Sequence, residues 1–595
     1  MTTPARDVQG LSSLGNLREP IMRHVKLATS AAMAAIIVLG TVSCSSNPPP
    51  PRGASGAAGE KVGYGIRAPC IPDAVAQRRV AMAGAVDLKQ PLKVALQLPL
   101  RNQGELTQLL HDLYDSTSPK FHKYLSVSEF TARFGPTAED YKKVVSWAKS
   151  KGLNVTTTAA NRRLVGVEGS VEKINRAFKV QISNYQHPRE GRVFYSADRE
   201  PDPAGLAVPL LQITGLSNYV LPRPMHQRGR AAGPTGPGSG PSGEYLPSDM
   251  RAAYYGKGPL TGAGQTIGIL SFDGYLPSDV RLYFSKTGMA SRVPIKNVLV
   301  NGFNGACTTP GSTATSPCDD GEQVLDIVNA IGMAPGIQQI LFYEGASDTQ
   351  ILNQMAVDNK AKVLSSSWGW NPSDAASDDP IFQEFAAQGQ TFVSASGDSG
   401  QFNTATFFFP SVDPYVLQVG GTDLTTAGPG GAWTGETAWV QSGGGNFDDT
   451  PIPAWQQLPG VVNSANMGST TLRNSPDVAA EANFDNPTVV NGKLVTGFGG
   501  TSFAAPRWAG LLALANQQSV ANGRGTVGFI NPTLYNLGTS ASRSTVFHDI
   551  TSGSNPPTVG DGSGFNAVPG YDLVTGWGSP IGAALIDQLA GRKGK

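Results

Sequence analysis

The segment Gly499-Gly500-Thr501-Ser502-Phe503-Ala504-Ala505-Pro506, followed by the apolar run Trp508–Ala515, reads as a glycine-rich turn feeding a helix. A serine there is an exposed hydroxyl among free N–H groups, which is what an acyl-transfer nucleophile needs. Taken alone, the segment reads equally well as a helix capped by serine. A nucleophilic serine needs a base. The chain has six histidines, His24, His111, His122, His187, His226 and His548. Only His548 lies beyond Gly243, and it follows Ser502. A subtilisin-type order, with Asp and His before Ser, therefore cannot be built unless the front part of the chain supplies the histidine. Carboxylates are the other option. Glu322 and Asp326 stand four apart in the stretch Gly321–Ala330, on one face of a helix. Two close carboxyls cannot both ionise freely, so one pKa rises. Glu322 can then take the serine proton while Asp326 orients it. Surface acids at a helix start are the competing reading. A third acid, Asp398 in Ser394-Ala395-Ser396-Gly397-Asp398-Ser399-Gly400, follows a buried strand. Protonated, it could donate a hydrogen bond to an oxyanion; as a turn Asp it would cap its own loop.

The elements that must position these groups change character along the chain. Residues 45–72 open on a Pro/Gly/Ser-rich tether. Residues 73–224 read as α+β: strand Val94–Leu100, helices Gln103–Tyr114 and Ala138–Lys151, a strand or hairpin over Asn154–Val167, helix Val171–Phe178 and strand Gln181–Tyr185. Two helices crossing an antiparallel sheet predict a ferredoxin-like fold. Residues 225–242, with Arg228-Gly229-Arg230 and repeated Gly and Pro, hold too few apolar residues to fold and read as a flexible, protease-accessible linker carrying the maturation cleavage. From 243 to 595 the texture is α/β. Thr266–Phe272, Val363–Ser367, Thr391–Ser396 and Val416–Val419 are short apolar runs suited to parallel strands buried on both faces, with helices such as Val324–Ile331 and Asp348–Asp358 between them.

Charge divides the chain in the same place. From Gly243 onward there are 16 Lys+Arg against 28 Asp+Glu; before it, 30 against 17. An acidic back half argues against nucleic acid as its partner. A basic front half could dock on it electrostatically, or each half could simply be a solvated surface. Arg23, His24 and Lys26 ahead of the apolar run Ala31–Leu39 read as an export signal within a 1–44 leader, too short to span a membrane comfortably, with Met22 a candidate start. Thr41-Val42-Ser43-Cys44 resembles a weak lipoprotein cleavage box, which would tether the protein to a membrane; ordinary signal cleavage is the equal alternative. Cys307 and Cys318 flank a Gly/Ser/Thr/Pro loop and could pair in an oxidising compartment.

Glu322-x-x-x-Asp326, Ser-Gly-Asp398-Ser-Gly and Gly-Gly-Thr-Ser502, in this order, resemble the sedolisin family, the serine-carboxyl peptidases. So do Tyr245–Arg251, Ser365–Gly369, Ser475–Val478 and Tyr571–Gly578. Ser118–Leu125 and Phe134–Thr137 resemble that family's activation domain, of pro-kumamolisin type. The resemblance implies a subtilisin-like parallel sheet flanked by helices, with Glu322 as general base and later acid, and Asp326 orienting it. Ser502 would be the nucleophile, and Asp398 would share the oxyanion with the Ser502 N–H. It implies a monomer working at acid pH on protein or peptide substrates, held inactive by its own prodomain, and one Ca2+ bound by Asp549, Ile550, Val568, Gly570 and Asp572. Two carboxylates and several carbonyls suit that ion. Val568 stands where the family commonly has glycine, and only its carbonyl would be used. Read this way, the chain is the precursor of a secreted, or lipid-anchored, acid-acting endopeptidase whose prodomain lets go as acid weakens the contact. The alternatives are a tripeptidyl exopeptidase, a catalytically idle binding module that keeps the fold, and a subtilisin-type enzyme.

Overall fold

In the computed structural model the described residues are 69–229, 237–307, 318–370, 375–403, 406–446, 450–557 and 564–591. The leader, Cys44 and most of the tether fall outside them. The front part includes β1 (Pro91–Gln97), α1 (Gln103–Tyr114), α2 (Ala138–Ser150), β2 (Asn154–Thr158), β3 (Leu164–Ser170), α3 (Val171–Phe178) and β4 (Gln212–Thr214). The strands lie in the order β2-β3-β1-β4, every neighbouring pair antiparallel. This is the ferredoxin-like order expected from the sequence. One strand is reassigned. The segment expected at Gln181–Tyr185 runs Ile182–Gln186 and joins a separate three-stranded sheet with Met82–Ala85 and Val193–Ala197. The closing strand of the main sheet is the three-residue β4.

The back part is a mainly parallel sheet. Its strands are β5 (Thr266–Ser271) and β6 (Ile295–Leu299), then, after α4 (Gly321–Met333), β7 (Gln339–Glu344). Next come α5 (Asp348–Asp358), β8 (Val363–Ser366), α6 (Ala375–Ala387), β9 (Thr391–Ala395), β10 (Leu417–Thr426), β11 (Trp433–Ala438) and β12 (Val478–Glu481). The strand β13 (Lys493–Gly499) leads into the long helix α7 (Thr501–Ala521). The order is β6-β7-β5-β8-β9-β10, all parallel, with β12 parallel and β11 antiparallel on the far half of β10. Every residue of β5, β8 and β9 is buried, as expected for strands covered on both faces.

Two helices frame the site, and their closeness has a sequence cause. All thirteen residues of α4 are buried, so its carboxylates face protein and not water. A Cβ on Gly510 of α7 would sit 2.6 Å from the Met333 Cβ and 3.0 Å from the Ala330 carbonyl of α4. Only glycine lets the two helices approach this closely. Arg507 of α7 then ties them, its Nε donating to Asn329 Oδ1 at 3.0 Å.

The front part docks through α1. Leu106, Leu109, Leu110 and Leu113 share a core with Ala386 and Ala387 at the end of α6 and with Phe529. Tyr114 Oη donates to the Ala386 carbonyl at 2.6 Å, and the Leu125 N–H to that of Ala387 at 2.9 Å. Arg163, buried, enters the α5–α6 side with its Nη1 3.7 Å from Glu384 Oε2. Asn161 Nδ2 beside it donates to Glu384 and to Asn353.

Candidate active site

Ser502 is the second residue of α7 and wholly buried. The preceding Gly500 has φ +142°, and a Cβ there would lie 2.5 Å from Asp398 Oδ2 and 2.5 Å from the Met225 carbonyl oxygen. A side chain would therefore fill the space where the serine must meet a carbonyl. The Ser502 Oγ donates to Glu322 Oε2 at 3.0 Å. The serine and the glutamate singled out by the two motifs are thus within hydrogen-bond distance.

Asp326 lies one turn further along α4, and its Oδ1 accepts from Ser367 Oγ at 2.6 Å. That hydroxyl also lies 3.3 Å from the Ser502 carbonyl, so Ser367 links the acid to the start of α7. Burial, reinforced by the Glu322 charge, pushes Asp326 well above the usual carboxylate range, with Ser367 opposing. Burial also raises Glu322, but His226 and the Ser502 hydroxyl pull it back. Glu322 is met by two polar groups, His226 and the Ser502 hydroxyl, and Asp326 by one, Ser367, so the ionised form is favoured more at Glu322 than at Asp326.

Asp398 follows β9. Its Oδ1 accepts from both the N–H and the Oγ1 of Thr501, each at 2.8 Å. The Gly397 N–H donates to the same Thr501 hydroxyl at 3.0 Å. Its Oδ2 is buried without a hydrogen-bond partner. Burial pushes this carboxyl up to about 8, so below that pH it holds a proton to offer. The Ser502 N–H donates to the Met225 carbonyl at 3.0 Å, and a Cβ on Gly500 would touch both that carbonyl oxygen and the open Asp398 Oδ2.

That carbonyl belongs to the segment expected to be a free linker. Instead, residues 223–229 cross the site as an extended strand. Arg223–Pro224 pairs antiparallel with Trp368–Gly369, and the Met225 N–H donates to the Ser367 carbonyl at 2.8 Å. Gln227–Arg228 pairs antiparallel with the end of β13. Gln227 Nε2 donates to the Asp398 carbonyl at 2.5 Å. Composition gave no sign of this order, because it is supplied by the backbone edges of the cleft and not by apolar side chains. The front part also supplies a histidine after all. His226 Nδ1 lies 2.6 Å from Glu322 Oε2, on the carboxylate and not on the serine. Ser367 and Thr501 were likewise inside motifs already singled out, but nothing local assigns them a role.

Four of the five candidate calcium positions are tied in pairs by hydrogen bonds. Asp549 accepts from the Gly570 N–H through both oxygens, at 3.1 and 3.0 Å, and Asp572 Oδ2 from the Val568 N–H at 3.1 Å. Ile550 follows Asp549 and is buried. Burial raises both carboxyls, Asp572 to about 7, and the Arg543 guanidinium stands 3.8 Å from Asp549. Two carboxylates and adjoining carbonyls, desolvated together, are a donor set that fits a hard cation. A second cluster, Asp423, Glu481 and Asp485, was not anticipated. The Glu481 oxygens there accept from the N–H groups of Leu424 and Asn483. Cys307 and Cys318 are disulfide-bonded, with Cα atoms 5.1 Å apart.

A parallel α/β sheet, a serine at a helix start with its hydroxyl on a carboxylate, and a docked α+β domain define a subtilisin-like serine peptidase precursor. Comparison with known proteins gives it a place. Residues 78–219 match the family described as pro-kumamolisin, activation domain, and residues 306–530 the subtilase family. Kumamolisin of Bacillus sp. (strain MN-32) is 31% identical over 533 residues, covering 84% of this chain and 92% of that protein. Sedolisin of Pseudomonas sp. (strain 101) is 29% identical, covering 82% and 85%. Tripeptidyl-peptidase 1 of Rattus norvegicus is 25% identical, covering 85% and 93%. A solved structure of Pseudomonas sedolisin complexed with pseudo-iodotyrostatin is 31% identical, covers 58% of this chain and 97% of its own, and has a TM-score of 0.48. The chain belongs to the sedolisin family of serine-carboxyl peptidases and carries that family's activation prodomain.

Proposed function

We propose that the protein is an acid-acting endopeptidase, exported as a proenzyme, that cleaves its own linker at Met225–His226. The observation that carries this is one carbonyl, that of Met225, held by the Ser502 N–H while the Ser502 hydroxyl is held by Glu322. In the reaction Ser502 Oγ attacks the peptide carbonyl and Glu322 accepts its proton. The oxyanion is stabilised by the Ser502 N–H and the protonated Asp398. Glu322 then returns the proton to the leaving amine, and water releases the acyl group by the same steps in reverse. Asp398 keeps the proton it donates at any pH below about 8, so the oxyanion donor is in place throughout the acid range.

The strand in the cleft also favours internal cleavage over removal of tripeptides. Arg223 is the third residue before the Met225 carbonyl, and the chain continues past it into the front domain with no amino terminus to be recognised. Export is supported by the Cys307–Cys318 disulfide, which fits an oxidising compartment. Among the described residues no helix is long and apolar enough to cross a membrane. We assign one calcium ion to Asp549, Ile550, Val568, Gly570 and Asp572, where it would hold the C-terminal loop. Chelation should then lower the melting temperature of the Ser502→Ala chain, and unchanged melting would remove the ion from this account.

The test of the activity is acidification of the full chain, with termini read by mass spectrometry. A new N-terminus at His226, absent in Ser502→Ala and Glu322→Gln, is expected. Stable wild-type precursor that also leaves an unfolded protein uncut would favour the idle binding module. Processing that survives in Glu322→Gln would favour a subtilisin-type base.

A further inference from the structure

The first residue beyond the scissile bond is held more specifically than backbone pairing requires. The register of residues 223–229 is set on both sides by strand pairing. That leaves the side chain at 226 pointing at one place. There the imidazole Nδ1 meets Glu322 Oε2 at 2.6 Å, and the ring lies against Phe498 with centroids 5.6 Å apart. The charges facing it are Glu322 from α4, Asp319 just before α4, and Asp398 from the loop after β9. The nearby cation, Arg228, lies over the same Phe498 ring at 6.0 Å and belongs to the bound strand itself. An aromatic wall with carboxylates around it suits a flat cation and repels an anion.

We propose that this primed-side pocket is a histidine subsite: peptides with His directly after the scissile bond are gripped through the imidazolium by Glu322 and cleaved in preference to others. The inference rests on the peptidase reading above. It has a mechanistic consequence. An opposite charge beside a buried carboxylate keeps it ionised at lower pH. Glu322 must be ionised to take the Ser502 proton, so a substrate histidine would keep the base competent as acid is added. A residue with no charge at that position would leave Glu322 to protonate earlier.

The experiment uses the acid-activated full chain and quenched peptides Arg-Pro-Met-Xaa-Gln-Arg, with Xaa as His, Asn, Phe or Asp. The His peptide should exceed the Asn and Phe peptides about tenfold in kcat/KM at pH 4 to 5, the scale of one charge-assisted hydrogen bond, and Asp should be slowest. The acid limb of kcat, which reports the bound complex, should lie about one unit lower for His than for Phe. A pocket that merely fits a ring would pass neither the Phe comparison nor the limb shift. Equal rates within twofold and a common acid limb would overturn the histidine subsite alone. Failure to cut any of the four peptides would overturn the peptidase reading and this one with it.

Discussion

Two groups of buried carboxyls lie in this chain, and they have been given opposite partners. In the cleft, Glu322, Asp326 and Asp398 face a serine, a threonine and a histidine, groups that can pass or share a proton. Under the front domain, Glu384, with Asp378 and Asp379 nearby, faces Arg163, a cation that cannot give its proton up. Burial raises acids in both places: Asp398 to about 8, and Asp379 and Glu384 to about 7. A raised carboxyl is therefore no mark of catalysis by itself. What separates the two is whether an open carboxyl oxygen meets a reacting atom or a fixed charge.

The contrast can be broken hardest at Ser502 and Glu322. Ser502→Ala or Glu322→Gln should cut kcat by about 10⁴-fold or more, since a nucleophile and its base act as a unit. Denaturant midpoints should barely move, and a large fall in stability would place these groups with the structural acids instead. Next comes Arg163→Ala, which leaves Glu384 buried without its cation. With Arg163 only 3% and Glu384 0% exposed, this should cost about 3–5 kcal/mol in urea unfolding of the Ser502→Ala precursor. A loss below 1 kcal/mol would show the pair to be solvated in solution. Asp398→Ala should lower kcat by about 10²–10³-fold, the usual effect of removing one oxyanion donor, with KM nearly unchanged. The smallest effect is one of pH. Glu384 sits at about 7 when folded against an ordinary value of 4.5, so folding favours its protonated form. Its share of stability is complete below 4.5 and is lost as pH rises through 7, an effect of about 1–3 kcal/mol. The precursor should therefore be weaker at pH 7.5 than at pH 5, and Glu384→Gln should flatten that slope. This sign runs against the expectation, drawn from the charge split, that acid loosens the front domain. A slope of the opposite sign would restore that expectation.

Much of this was legible because the informative residues are close in sequence. Glu322 and Asp326 declare a shared face by their spacing, and the unbroken apolar runs of β5, β8 and β9 declare buried strands. The rest depends on tertiary contact. Ser367 and Thr501 matter only because β8 and β9 end beside α7. The closing strand β4 has three residues, too few for any periodicity, so the stronger pattern at Ile182–Gln186 drew the assignment. The strand through the cleft was missed for a related reason. Its order comes from hydrogen bonds offered by other segments, and a polar, proline-bearing sequence carries no record of them.

The threading of residues 223–229 through the cleft also fixes how maturation scales with concentration. A bond presented by its own chain meets Ser502 at an effective molarity that free peptides do not reach. The first cut should therefore follow first-order kinetics, with a half-time unaffected by dilution. It also leaves two product ends still paired to the cleft walls, so departure of those ends, and not the chemistry, would set when the enzyme becomes free to take another chain.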